Sequence, residues 1–271
     1  MITSKENELV KHIKSLSQKK YRDEYKEYLV EGPKMVLEAL EYAKVDSIVV
    51  CEEYLNDDKI LNKIAKLASK EEIRLEFTSS KVFESISETK TPQGVIAVAK
   101  QNETQELDEA LDKMLKDDTI FALDKIQDPG NLGTIIRTLD SAGIKHLILS
   151  KDTVDAYNPK VVRSTMGAIF RLKIYTLEAE LFDILQSLKH RGAAIISTSL
   201  DTDKYIYDID FDKKLVIVIG NESQGVSGEI QEMSNYKFKI PMIGKTESLN
   251  AAVAASIVAY EKVRRDFRKW E

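Results

Sequence analysis

Residues 119–143 read TIFALDKIQDPGNLGTIIRTLDSAG, and their pattern decides the fold of everything that follows them. The run TIFALD is short and almost continuously apolar, as in a strand covered on both faces. Asp128, Pro129 and Gly130 make a tight turn. A helix is predicted from about residue 131 to 142, with Asn131 as its cap and Gly143 as its stop. Its apolar positions Leu132, Ile135, Ile136 and Leu139 fall at helical spacing and give it a core face. Buried strand, short loop and amphipathic helix together make one βα unit of a parallel sheet.

The same alternation continues outward. Downstream, KHLILS (145–150), RLKIYT (171–176), AAIIST (193–198), KLVIVIG (214–220) and KFKIPM (237–242) read as strands. NPKVVRSTMGAIF (158–170) reads as a helix capped by Asn158 with Pro159 at its first position, LFDILQSLKHR (181–191) as another, and residues 249–267 as a long closing helix. Upstream, EYLVEG, DSIVVC, IRLEF and GVIAVAK read as strands. PKMVLEALEYA and NDDKILNKIAKLASKEE read as helices, and TPQG as a turn. Residues 101–118 are polar and highly charged, which places a domain boundary there. The expected organisation is an N-terminal α/β domain over residues 1–103, a linker helix over 104–118 and a larger α/β domain over 119–271.

Composition narrows the class. The chain has 271 residues, 43% hydrophobic and 31% charged, with a formal net charge of −5. That is a globular composition, and no apolar run approaches the ~20 residues of a membrane span. The polar N-terminus, without an apolar stretch, gives no sign of a secretory signal, so a cytoplasmic location is expected. The single cysteine, Cys51, reads as a small core residue. A net negative chain does not coat nucleic acid by charge alone. Lys11, Lys14, Lys19, Lys20, Arg22 and Lys26 nevertheless form a local basic cluster, interleaved with Tyr21, Tyr25 and Tyr28, which could stack on bases. Read alone, that segment is better taken as a solvated helix face balanced by Glu24 and Glu27.

Three strand ends carry unusual loops, and in open parallel sheets sites collect at such ends. In DKIQDPGNLGTIIR, Gly133 and Arg137 share a helix face, and the arginine leans back toward the loop, where free N–H groups and a cation suit a phosphate. In GNESQGVSGEI, Gly220 and Gly225 permit close backbone approach to a ligand. In IPMIGKTESLNAAVAAS, Ser248 or Asn250 caps the last helix. The chain has no GxGxxG fingerprint, which removes the usual dinucleotide site. His12, His146 and His190 lie outside the loops and read as structural or solvated, and no metal-ligand spacing appears.

Taken in order, DPGNLGTIIRTLDSAG, IGNESQGVS and IPMIGKTESLNAAVAAS resemble the three signature motifs of the SpoU (TrmH-type) family of RNA 2′-O-ribose methyltransferases, in the SPOUT class. NPKVVRSTMGAIFRL, KHIKSLSQKKYR, YLVEGPKMVLEAL and TPQGVIAVA extend the likeness over nearly the whole chain. The resemblance implies a C-terminal, trefoil-knotted, mostly parallel sheet flanked by helices, with a smaller N-terminal α/β substrate-binding domain. It implies S-adenosylmethionine as methyl donor, held near Thr198, Gly220, Asn221, Gly225, Ile240 and Leu249. It implies a catalytic set of Arg137, Asn131, Glu222, Ser248 and Asn250. The RNA-contacting set is Lys11, Lys14, Lys19, Lys20, Arg22 and Arg163. Free arginine is a poor base at neutral pH, so Arg137 is read as gripping a phosphate or the hydroxyl oxygen. Asn131 and Asn250 then fix these groups, Ser248 bonds the nucleotide or the arginine, and Glu222 orients Arg137 or the partner loop. The family also implies a homodimer, with the small-residue face Ala251, Ala252, Ala255 and Ala259 suited either to that interface or to the chain's own sheet. Ribosomal RNA, 23S above all, is favoured as substrate because of the distinct N-terminal domain. A transfer RNA enzyme and a non-catalytic RNA-binding protein on the same fold are the alternatives.

Overall fold

A computed structural model describes residues 1–102, 107–116, 119–211 and 214–267. They form two compact units. One comprises residues 1–102 together with residues 155–170, and the other residues 103–154 together with 171–271. The segment NPKVVRSTMGAIF therefore groups with the N-terminal unit, whereas its place in the sequence put it with the C-terminal domain. The helix expected to be a linker, Leu107–Met114, is packed: Ala110, Leu111, Met114 and Leu115 belong to the core of the second unit.

In the N-terminal unit the elements run α1 (Glu8–Ser15), α2 (Lys19–Tyr25), β1 (Glu27–Glu31), α3 (Pro33–Tyr42), β2 (Val45–Val50), α4 (Asp58–Lys70), β3 (Arg74–Phe77), α5 (Ser80–Phe83) and β4 (Val95–Lys100). The sheet order is β1-β4-β2-β3, with β4 antiparallel to both its neighbours and β2 parallel to β3. Gly94 closes the TPQG turn at φ +78°, and a Cβ there would fall 2.2 Å from the Leu55 amide, so only glycine fits. A later helix, Pro159–Ser164, is capped by Asn158, as its sequence predicts, and packs on β1. Arg22 is 2% exposed and bonds Asp155 at 2.6 Å and the carbonyls of Leu16 and Ser17. It is an internal tie, not the RNA-contacting side chain that its neighbours suggested. Tyr28 is also buried, its ring 4.7 Å from that of Tyr157, and burial pushes its phenol pKa up. Glu27 is buried too and holds His12 and Lys100, so it does not balance a solvated face.

The second unit begins with the packed helix, α6 (Leu107–Met114), followed by β5 (Thr119–Asp124), α7 (Pro129–Ser141) and β6 (His146–Leu149). With Pro159–Ser164 counted as α8 in chain order, it continues with β7 (Lys173–Thr176), α9 (Leu181–His190), β8 (Ala194–Thr198), β9 (Leu215–Gly220), α10 (Gly228–Met233), β10 (Tyr236–Phe238) and α11 (Ala251–Phe267). All six strands pair in parallel, in the order β10-β8-β9-β5-β6-β7. Every residue of β5 and of β9 is buried, as their unbroken apolar runs require. The order reverses at β5: the next strands lie on one side of it, and the later β9, β8 and β10 on the other. The loops after β5 and β9 therefore diverge over a crevice at their C-terminal ends, the place where such sheets bind ligands. The final strand is shorter than expected: it pairs with β8 only over Tyr236–Phe238, and Lys239 bonds the 204–206 segment instead. Helix α11 lies against α7 and β9, and Ala251, Ala252, Ala255 and Ala259 are all buried there. Of the two packings open to that small-residue face, the structure uses the intramolecular one.

Candidate active site

The three loops meet through one directional chain of hydrogen bonds. The first amides of α11 point at Asn250, whose Oδ1 accepts from the amides of Ala252 (2.9 Å) and Val253 (3.2 Å). That capping bond leaves the Asn250 Nδ2 group to donate, and it does so to Asn131 Oδ1 at 2.8 Å. Asn131 Nδ2 in turn donates to Glu222 Oε1 at 2.8 Å. A carboxylate only accepts, so both amide orientations are fixed from either end. Among the described residues Glu222 therefore bonds Asn131 and the loop after β5, and not Arg137. Nor is Asn131 the cap of α7: Asp128 is, its Oδ1 accepting from the Asn131 amide at 2.8 Å.

A second set of bonds ties the same loops lower down. Asn221 Nδ2 donates to the Lys125 carbonyl at 2.7 Å, while its Oδ1 accepts from the amides of Ser223 and Gln224. Lys125 itself sits at φ +61°, a conformation that costs a side-chain-bearing residue energy and marks a constrained turn. Asp124, 3% exposed at the end of β5, accepts from the Ser227 amide at 2.8 Å. Sequence reasoning missed this carboxylate. Its signal was an acid closing an otherwise apolar buried strand. Gly220 allows a close approach, as expected, but to its own chain: a Cβ there would lie 2.1 Å from Gly225 C and Val226 N.

Beside this network opens a cleft of about 620 Å³, within the ~300–1,000 Å³ of ordinary ligand sites. Thr198, Gly220, Asn221, Gly225, Ile240 and Leu249, the whole expected cofactor set, line it, with Glu222 and Ser248. Its wall joins the exposed turn at residues 222–225 to the apolar side chains of Phe238, Leu249 and Ala251. That combination fits a ligand with a flat apolar part and hydrogen-bonding edges, as an adenosine is. Arg137 stands apart from the cleft lining, on α7. It is exposed, and no acceptor meets its guanidinium among the described residues. Of the RNA set, Lys11 is paired with Glu6 and Glu8, while Lys14, Lys19 and Lys20 are exposed. Arg163 is exposed and reaches the Glu88 carbonyl at 3.5 Å. Among the described residues no group of histidine, cysteine and carboxylate side chains is placed to hold a metal, and no helix is long and apolar enough to cross a membrane.

A parallel α/β sheet with three loops knit over a cofactor-sized cleft defines a nucleotide-cofactor enzyme domain, here joined to a separate α/β unit. Comparison with known proteins narrows this to one family. Residues 118–260 match the SpoU rRNA Methylase family and residues 7–97 the MRM3-like substrate binding domain. The chain is 33% identical to the Bacillus subtilis 23S rRNA (guanosine(2553)-2′-O)-methyltransferase RlmP, over 96% of this chain and 97% of that one. It superposes on the AdoMet-bound rRNA methyltransferase from Sinorhizobium meliloti with a TM-score of 0.84, at 30% identity, covering 98% of this chain and 97% of that one. With the SpoU methyltransferase AviRb from Streptomyces viridochromogenes in complex with AdoMet, the TM-score is 0.81 at 27% identity, over 96% and 98% of the two chains. The chain belongs to the SpoU family, with the SPOUT fold. It is an RNA 2′-O-ribose methyltransferase, and S-adenosylmethionine is its methyl donor.

Proposed function

We propose that the enzyme methylates a ribose 2′-hydroxyl of 23S rRNA. The observation that carries the site assignment is the Asn250–Asn131–Glu222 chain, which fixes polar groups from all three loops beside the cleft. The rRNA reading is supported by the likeness to RlmP along nearly its entire length, N-terminal unit included.

When bound, S-adenosylmethionine supplies an electrophilic sulfonium methyl. The protein's own work is to position and to handle charge. Residues 220–225 and Leu249 hold the cofactor, with Thr198 and Ile240 at its edges. Arg137, whose guanidinium meets no acceptor among the described residues, grips a phosphate or the attacking 2′-oxygen and stabilises negative charge as it builds there. Ser248, whose hydroxyl has no partner among the described residues, bonds the nucleotide or Arg137. A hydroxyl is a weak nucleophile until its proton leaves; a substrate phosphate held by Arg137 shares that proton by hydrogen bond, and the proton passes to solvent as the methyl–oxygen bond forms. The N-terminal unit holds the RNA, and the unit that carries the three loops does the chemistry. The enzyme acts as a homodimer in the cytoplasm. Because the alanine face of α11 is used internally, the interface falls to its outer face, where Val253 and Tyr260 are 47% and 49% exposed.

Mapping 2′-O-methyl positions in 23S rRNA from cells with and without the gene tests the proposal. One position that loses its mark on deletion and regains it with the wild-type chain is expected. Loss confined to transfer RNA would overturn the rRNA assignment. A monomer mass by light scattering at micromolar concentration would overturn the dimer.

A further inference from the structure

Two tyrosine rings form a short ladder on the surface of the N-terminal unit. Helix α2 sets Tyr21 and Tyr25 one turn apart on one face, and their rings lie 6.1 Å apart and 12° from parallel. His12 of α1 abuts the far side of the pair, its ring 4.9 Å from that of Tyr25 and tilted 59° to it, so it braces the stack without continuing it. The Lys20 ammonium lies over the Tyr21 ring, 5.6 Å from its centroid. The base of the ladder is anchored. His12 Nε2 donates to Glu27 Oε2 at 2.5 Å, and that buried carboxylate also takes Lys100. Arg22, on the same helix, fixes α2 from below through Asp155.

Folding alone does not ask for this arrangement. Where the unit needs a tyrosine for its core it buries one, as at Tyr28, whereas Tyr25 stays 41% exposed. On α2 and at its end the exposed Lys19, Lys20 and Lys26 outnumber the exposed Asp23 and Glu24, in a chain whose net charge is −5. Rigid ring faces beside mobile ammonium groups match unpaired nucleotides, which offer a π face and a phosphate at each step.

We propose that the Tyr21–Tyr25 pair, braced by His12, is a stacking shelf for unpaired bases of the RNA substrate, with Lys20 and its exposed neighbour Lys19 on the flanking phosphates. Its occupant rests on the RNA reading above. What it adds is that ring faces, and not charge alone, hold the strand, and that paired RNA is excluded from the shelf because its bases are stacked on each other.

The test uses the full chain and fluorescence anisotropy with three probes: a labelled single-stranded RNA of mixed sequence, the same strand with two neighbouring bases removed, and the same strand annealed to its complement. The Tyr21→Ala/Tyr25→Ala variant should bind the intact single strand roughly ten-fold or more weakly, while Tyr21→Phe/Tyr25→Phe keeps wild-type affinity. For the wild type, removing the bases should cost as much as removing the rings. Binding to the duplex and to S-adenosylmethionine should be the same in all three proteins. Unchanged single-strand affinity in the alanine variant, an equal loss in the phenylalanine variant, or a wild type without affinity for the single strand would each overturn the shelf. A chain that methylates rRNA yet fails these tests refutes the shelf alone. One that passes them and transfers no methyl group refutes the methyl-transfer reading alone.

Discussion

Asn131 Nδ2 donates to Glu222 Oε1 across 2.8 Å, linking the loop after β5 to the loop after β9, although 91 residues separate them in the chain. The amide is held at both ends, since its Oδ1 accepts from Asn250. Replacing it removes a brace between loops and leaves the sheet untouched. Asn131→Ala should therefore lower the single-turnover methyl-transfer rate by ~10–10²-fold, as expected when positioning is lost. Cofactor affinity, read by calorimetry, should change far less. Glu222→Gln keeps an acceptor for Asn131 and should lose less than Asn131→Ala. A Glu222→Gln variant more damaged than Asn131→Ala would show that the carboxylate charge, not the brace, matters.

Arg137 is exposed on α7 with a guanidinium that meets no acceptor among the described residues. Its removal should cost the fold within ~0.5 kcal/mol, as for other surface changes. It should nevertheless cost catalysis roughly 10²–10³-fold or more, because a cation at developing negative charge is worth that much. Thermal unfolding and methyl incorporation measured on one preparation of Arg137→Ala separate the two. Near-normal turnover would remove Arg137 from the mechanism.

Much of this was readable in the chain because the signals were local. The runs TIFALD and LVIVIG are buried along their strands, Asn158 caps its helix, and the six residues expected to hold the cofactor line one cleft. What escaped depends on partners distant in sequence. Nothing near Arg22 announces Asp155, 133 residues away, so a buried tie looked like one more surface cation. Asn131 sits where a helix cap belongs, but Asp128 is nearer the first free amides and takes the role, which releases Asn131 for Glu222. The alanine face of α11 has a composition that fits any close packing, and only the sheet order shows that β9 and α7 lie beneath it.

The Arg22–Asp155 pair predicts a stability effect and not a simple loss of RNA contact. Both side chains are mostly buried, at 3% and 13% exposure, so removing one strands the other's charge. Arg22→Ala or Asp155→Ala should cost about 3–5 kcal/mol, visible as a lower denaturation midpoint. Lys14→Ala and Lys19→Ala, on exposed neighbours, should leave the midpoint in place and reduce the salt dependence of RNA binding. An unchanged midpoint for Arg22→Ala would contradict the tie.

Gly220 and Gly225 should respond differently to the same added methyl group. At Gly220 a Cβ meets backbone atoms at 2.1 Å, so the strand end and the 225–226 segment must part, and the cleft wall with them. At Gly225 nothing lies within 4 Å, and the cost is only that of an alanine at φ +71°, about 1–2 kcal/mol. Gly220→Ala should lose S-adenosylmethionine binding at least ~10-fold, and Gly225→Ala should fold and bind the cofactor more nearly as the wild type does. The two dissociation constants, measured by calorimetry, decide whether the turn or the ligand needs these glycines.

Glu261 sets a pH dependence of stability far from the catalytic loops. Its carboxylate, 5% exposed on α11, accepts from Arg264 and Arg265 at 2.7 Å. Arg264 first, and then Arg265, hold its pKa below the usual carboxylate value against the opposing effect of burial. A depressed folded-state pKa means that the unfolded chain takes up the proton more readily. The contribution to stability is then fully present above the unfolded-state pKa and is lost as pH falls through the folded one. Arg265 also donates to the carbonyls of Ile209 and Tyr207, so Glu261 orients the side chain that pins this connection to the helix. Glu261→Gln should unfold at a lower temperature than the wild type at neutral pH, and the gap should close in acid as pH falls through the lowered folded-state pKa and the wild-type carboxylate is protonated. Hydrogen exchange at residues 206–209 should rise in the variant at neutral pH. A gap that persists unchanged into acid would mean that the carboxylate acts through packing and not through its charge.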